Sequence, residues 1–126
     1  MKSLYIGFDF DNTVVTQRSP ELGEEIEEAL EVLEELQEAG HKLILVTMRS
    51  GERLVQAVEY LEDNGIKPYA VNENPSQKYW TESPKIFCNL YIDDLALGCP
   101  LDIDTFSKPV VDWYEVRNQL KERELL

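Results

Sequence analysis

Two groups of carboxylates stand out: Asp9 and Asp11, closely followed by Thr13, in the run DFDNT, and the adjacent pair Asp93-Asp94 far downstream. Each group directly follows an apolar run, LYIGF at Leu4–Phe8 and LYI at Leu90–Ile92. A third run, KLILVT at Lys42–Thr47, ends on a hydroxyl and is followed closely by Arg49. Carboxylates brought together repel one another and raise each other's pKa unless a cation neutralises them. Ligands that offer only oxygen select a hard ion, magnesium first among them. If the three runs end at one place, the residues there supply a metal site, a nucleophile and an anion site.

The surrounding elements determine whether they do. Leu4–Phe8 reads as a buried parallel strand with Asp9 at its carboxyl end, and Val14–Gln17 as a small extended flap. Ser19-Pro20 has the form of a helix start, Ser19 capping and Pro20 in the first turn. Leu22, Ile26, Leu30, Leu33 and Leu36 then recur at helical spacing with glutamates between them, and Gly40 ends the helix. Lys42–Thr47 is a second buried strand. Ser50-Gly51 opens a second helix with Leu54, Val55, Val58 and Leu61 on one face, closed by Asn64-Gly65. Tyr69–Val71 is a short strand, Asn72–Pro84 a loop ending in a helical turn, and Leu90–Ile92 a further strand. Val111–Leu125 is amphipathic, with Val111, Tyr114, Val116 and Leu120 inward. Strands alternating with helices imply an α/β layer fold with a mostly parallel sheet. In such sheets ligands bind beyond the carboxyl ends of the strands, where Asp9, Asp11, Thr13, Thr47, Asp93 and Asp94 fall.

Composition bounds the partners. A chain of 126 residues suits a single domain spanning 1–126. A net charge of -13 repels polyanions, which argues against duplex nucleic acid or an anionic membrane. No apolar run approaches the roughly 20 residues of a membrane span, and the acid-interrupted N-terminus is no signal peptide; a cytoplasmic location is expected. Cys88 and Cys99 are expected as reduced thiols, Cys88 buried and Cys99 in a loop. His41, the sole histidine, reads as a strand-start residue, and with it no zinc site can be assembled. Tyr79 and Trp80 read as aromatics packing over the sheet.

Asp9-Phe10-Asp11-Asn12-Thr13 resembles the DxDxT motif that opens the haloacid dehalogenase (HAD) superfamily of phosphohydrolases. A threonine after the second strand (Thr47), a lysine ahead of a late strand (Lys85) and an acidic pair after it (Asp93, Asp94) follow in the superfamily's order. The resemblance spans residues 4 to 94. It implies a three-layer α/β/α Rossmann-like fold and a magnesium-dependent phosphatase acting through an aspartyl-phosphate. Asp9 would be the nucleophile and Asp11 the general acid and base. Asp9, the main-chain carbonyl of Asp11, Asp93 and Asp94 would hold the metal. Thr47 and Lys85 would hold the phosphate, with Lys78 as the competing lysine and Arg49 as a further substrate-binding cation. Asn12 stands where many members carry glycine, and asparagine also tolerates left-handed backbone.

Neither Val14–Pro20 nor Pro68–Pro84 is long enough for a cap domain, so the chain resembles the capless members. An open crevice suits a phosphate on a macromolecule or an enzyme closed by homo-oligomerisation, with the phosphorylated substrate selected by the flap, by Asn72–Trp80 or by a neighbouring subunit. A dehalogenase would need no magnesium and would lack Asp11, so Asp11 and the acidic pair disfavour it; a response-regulator receiver would carry its acidic pair first. The alternative from another class is a non-catalytic interaction module on the same scaffold, which would be expected to have lost Asp9 or Asp11.

Overall fold

The computed structural model describes residues 2–18 and 21–126. The elements are β1 (Tyr5–Phe8), β2 (Val15–Gln17), β3 (Leu22–Glu25), α1 (Ala29–Glu38), β4 (Lys42–Leu45), α2 (Gly51–Asp63), β5 (Ala70–Val71), a short 3-10 helix (Pro75–Tyr79), β6 (Leu90–Ile92), β7 (Leu101–Asp102), β8 (Val110–Val111) and α3 (Trp113–Glu122). The fold is mixed α/β around a four-stranded sheet of order β5-β4-β1-β6, and every pairing in it is parallel. No helix among the described residues is long and apolar enough to cross a membrane.

The strand order decides where a ligand can enter. From β1 the chain moves outward through β4 to β5, then returns to place β6 on the other side of β1. The order therefore reverses between β1 and β6. At such a switch point the connections leave in opposite directions and open a crevice beyond the carboxyl ends. Asp9 follows β1 and Asp93 follows β6, so both flank it.

One face of the sheet carries the main core. Ile6 and Phe8 of β1 lie beside Leu43 and Leu45 on one side and Leu90 and Ile92 on the other. Leu33 and Leu36 of α1, Leu61 of α2, and Trp113, Val116 and Leu120 of α3 join the same cluster. Alternation along the strands sends Tyr5, Gly7 and Ile44 to the opposite face. The cover there is the 3-10 helix and the irregular stretch after it, with Phe87 edge-on to both Tyr5 and Trp80. A Cβ on Gly7 would stand 2.9 Å from the Cys88 sulfur and 3.0 Å from the Tyr91 ring, so this cover can close on β1 only over a glycine. Trp80 is thus packed on one side while 64% exposed, and Tyr79 is 84% exposed.

Several sequence expectations are met: the strands at 5–8, 42–45, 70–71 and 90–92, the second helix, a buried Cys88 and both cysteines free. His41 is structural. Its Nδ1 accepts from the Leu4 N–H (3.1 Å) and its Nε2 lies 3.0 Å from the Leu125 carbonyl, a pairing that requires the Nε2–H tautomer. Burial raises the Cys88 thiol to about 11.

Others need correction. The first helix begins at Ala29, not near residue 20, and the expected Ser19-Pro20 start lies outside the described residues. Leu22–Glu25 is instead the second strand of a hairpin with β2. Leu22 and Ile26 are four apart, an even spacing that serves a strand's period of two as well as a helix turn. Gly23 is the residue that distinguishes them: its missing Cβ would fall 1.7 Å from the Thr16 carbonyl oxygen. Val55 is 54% exposed and Tyr114 50% exposed, so neither faces inward; the Tyr114 hydroxyl reaches Glu27 instead (2.5 Å). The C-terminal segment divides into β8, with Val111 buried, and α3 from Trp113. The β7–β8 hairpin and the inward role of Trp113 have no counterpart in the sequence reading.

Candidate active site

Asp9 continues the β1 ladder by one step, its N–H donating to the Ile92 carbonyl at 3.0 Å. That bond fixes the nucleophile candidate beside Asp93, the residue after Ile92. One carboxylate oxygen from each of Asp9, Asp93 and Asp94 comes within 4.8 Å of the others. Burial is the main reason the Asp9 carboxyl is pushed up to about 8; the Phe10 N–H opposes this, and Asp93 and Asp94 add to it. Asp94 is also raised, again chiefly by burial. Like charges beside one another in a partly buried site disfavour the ionised form of Asp9.

The turn after β1 is tightly determined. The Val14 N–H donates to the Phe10 carbonyl (2.8 Å), and Asn12 adopts φ 58°, the left-handed conformation for which asparagine is suited. Asn12 also ties the turn to the flap: its Oδ1 accepts from the Gln17 N–H (2.9 Å) and its Nδ2 donates to Gln17 Oε1 (3.3 Å). Thr13 is fully buried. Its hydroxyl lies 3.4 Å from Asp9 Oδ2 and 3.3 Å from Asp94 Oδ1, and it accepts from the Asp94 N–H at 3.4 Å. Thr13 thus links the two carboxylate groups that the sequence separates. Its own carbonyl accepts from Trp113 Nε1–H at 2.6 Å, anchoring the turn to the start of α3.

Asp11 points elsewhere. Arg49 grips it with two charge-assisted bonds, Nε to Oδ2 at 2.8 Å and Nη2 to Oδ1 at 2.7 Å. The Arg49 side chain is only 8% exposed, and its guanidinium stacks 5.0 Å from the centroid of the Phe10 ring. Thr47 lies just past β4 and is buried. Its N–H donates to Asn72 Oδ1 (2.8 Å) and its Oγ1 accepts from the Arg49 N–H (3.1 Å). That oxygen keeps its own proton free to donate to a further partner.

The sequence-derived set therefore divides. Asp9, Asp93 and Asp94 converge, and Thr47, Arg49 and Asp11 form a linked second group joined to the first through the 9–13 turn. The Asp11 side chain is not part of the carboxylate cluster. Lys85 is exposed; its main chain bonds Ser83 and Gln77. Among the described residues no lysine forms an ion pair with any of the four aspartates. Lys78 is exposed as well, 5.9 Å from the Tyr79 ring. Thr13 was expected at the strand end without a role, and Trp113 is the contributor missing from the sequence-derived set. Thr13 had a signal, its place in DFDNT; Trp113 had none.

A structure of a conserved protein coded by a locus of Bacteroides thetaiotaomicron is 34% identical to the chain, with a TM-score of 0.80. The match covers 97% of this chain and 93% of that one. The chain belongs to the family of that conserved protein. No family model matches the chain, and no curated protein does. The match extends over nearly the whole chain.

Proposed function

We propose that the chain is a magnesium-dependent phosphatase of the haloacid dehalogenase superfamily, Rossmann-like and capless, acting through an aspartyl-phosphate on Asp9. The observation that carries this reading is the convergence of Asp9, Asp93 and Asp94 at the switch point of a parallel sheet. Their donor set is all oxygen and anionic, which fits a hard divalent ion. A carboxyl group near 8 would hold a proton at neutral pH and could not attack; a cation held by these three residues favours the ionised form. Bound there with the Asp11 carbonyl, magnesium would neutralise the carboxylates and offset phosphate charge.

The chain's own groups account for the rest. An Asp9 oxygen attacks phosphorus, and the bond from phosphorus to the leaving oxygen breaks. Asp11 gives that oxygen a proton, then takes one from water as the water attacks the phosphoryl group. Inorganic phosphate leaves and Asp9 is regenerated. The Thr47 hydroxyl donates to a phosphoryl oxygen. Arg49 supplies the cation most directly tied to the site, in place of the role expected for Lys85. While it grips both Asp11 oxygens, Asp11 is an acceptor with no proton to give; an incoming phosphate competes for the guanidinium, and the released Asp11 takes up a proton from solvent before it serves as the acid. Substrate arrival and readiness of the acid are thereby coupled.

Turnover of an aryl phosphate with magnesium, measured beside Asp9→Asn and beside chelator-treated protein, tests the reading. Activity in the native protein alone is expected; equal rates in the native and Asp9→Asn proteins would refute it.

A further inference from the structure

We propose that the cleft between the flap and the β7–β8 hairpin is a leaving-group subsite, selecting small phosphate esters whose alcohol half carries a second anionic group. The proposal rests on the phosphatase reading above and names its substrate class. The cleft has a volume of about 300 Å³, at the small end of ligand sites and suited to a compact metabolite rather than a macromolecule. Asn12, the residue directly after Asp11, lines it and is buried. Asn12 is bonded at once to the flap through Gln17 and to β8 through the Val111 N–H, which donates to its carbonyl at 3.0 Å. Both walls are therefore tied to the turn that carries Asp9 and the proposed general acid.

The lining sets the charge of that group. Arg18 comes from the flap wall and Lys108, with Ser107, from the hairpin wall. The chain has 12 cationic side chains against 25 acids, yet here two cations face a single carboxylate, Glu24. Arg18 is weakly held, 3.9 Å from Glu21 with both side chains more than 70% exposed, and Lys108 forms no ion pair among the described residues. A second cleft of similar volume, against the other strand of the flap, is lined by Glu25, Glu27, Asp102 and Asp112 and by no cation. An anionic group entering beside the flap is thus directed to one side. Phe106 offers apolar contact for the carbon body between the two anions.

The test compares kcat/KM, with magnesium, for glycerol phosphate, which has one anionic group, against phosphoglycerate and propanediol bisphosphate, which add a carboxylate and a phosphate respectively. One or both of the doubly anionic esters should be preferred by about tenfold, the scale of one or two charge-assisted contacts at a solvated site, and the favoured one identifies the second anion. In the protein carrying Arg18→Gln and Lys108→Gln the preference should collapse towards equality. Equal kcat/KM for all three esters in the native protein, or a preference that survives the double substitution, would overturn the subsite while leaving aryl phosphate turnover and the phosphatase reading intact. Absence of turnover of every ester, aryl phosphate included, would overturn both.

Discussion

The Asp9 carboxylate is positioned by its neighbour Thr13. The Thr13 hydroxyl lies within hydrogen-bond distance of both Asp9 and Asp94. Thr13→Val keeps the shape of the side chain and removes the hydroxyl; kcat should fall by about tenfold, the worth of one hydrogen bond to a charged group, with KM little changed. Arg49→Ala should lower kcat/KM by ~100-fold through loss of two charge-assisted contacts, and Arg49→Lys should restore only part of it because an ammonium cannot grip two oxygens in parallel. Steady-state kinetics on an aryl phosphate check both; an Arg49→Ala protein of native efficiency would remove Arg49 from the site. Asp9 and Asp93 were legible in the sequence because each ends an apolar strand, and a strand end has a fixed place in a parallel sheet. The Asp11–Arg49 pair was not, since it depends on how side chains rotate out of two turns distant in sequence.

Elements carry the next level of the account. The flap is a hairpin that a glycine permits: Gly23 passes so close to Thr16 that a methyl group would collide with backbone. Gly23→Ala should therefore cost about 1–3 kcal/mol, the usual penalty of overpacking, and displace the flap. Thermal unfolding should show a lowered Tm, and an unchanged Tm would mean that the hairpin opens without strain. The strands and α2 could be read from apolar runs and their turn residues. The start of α1 could not, because Leu22 and Ile26 satisfy both periodicities and the choice rests on a close approach between chains. At its C-terminal half α1 is joined to α3 by Arg117, which pairs with Glu35 at 2.7 Å and also reaches Glu28, the left-handed residue that precedes the helix. That bond holds the Glu35 carboxyl below its ordinary range. No pattern in a single helix reveals such a pair.

For the whole molecule, the carboxylate cluster links stability to pH and to metal. Without a divalent ion, Asp9 titrates near 8 in the folded protein against 3.8 as its ordinary value. Between those values the folded state binds a proton that the unfolded state has released, so stability falls as pH rises through this window and levels off above it. Magnesium favours the ionised site and should remove that slope. Its stabilising effect should therefore be larger at pH 8 than at pH 5, approaching about 2.7 kcal/mol at a hundredfold excess over Kd. Tm measured at both pH values with magnesium and with chelator checks this; equal shifts at the two pH values would contradict the linkage. The parallel α/β architecture was legible at this scale from alternation alone. The thin, aromatic cover on one face and the late hairpin were not, because both depend on packing between segments far apart in the chain.

Phosphorylation of Asp9 can be read from the intact mass of Asp11→Asn protein mixed with magnesium and an aryl phosphate. An aryl leaving group departs without an acid, so the first step should proceed, whereas the water of the second step has lost its base. A mass increase of one phosphoryl group is expected, mapped by fragmentation to Asp9 and absent when Asp9→Asn is added to the variant. Unmodified protein that turns over at the native rate would contradict it.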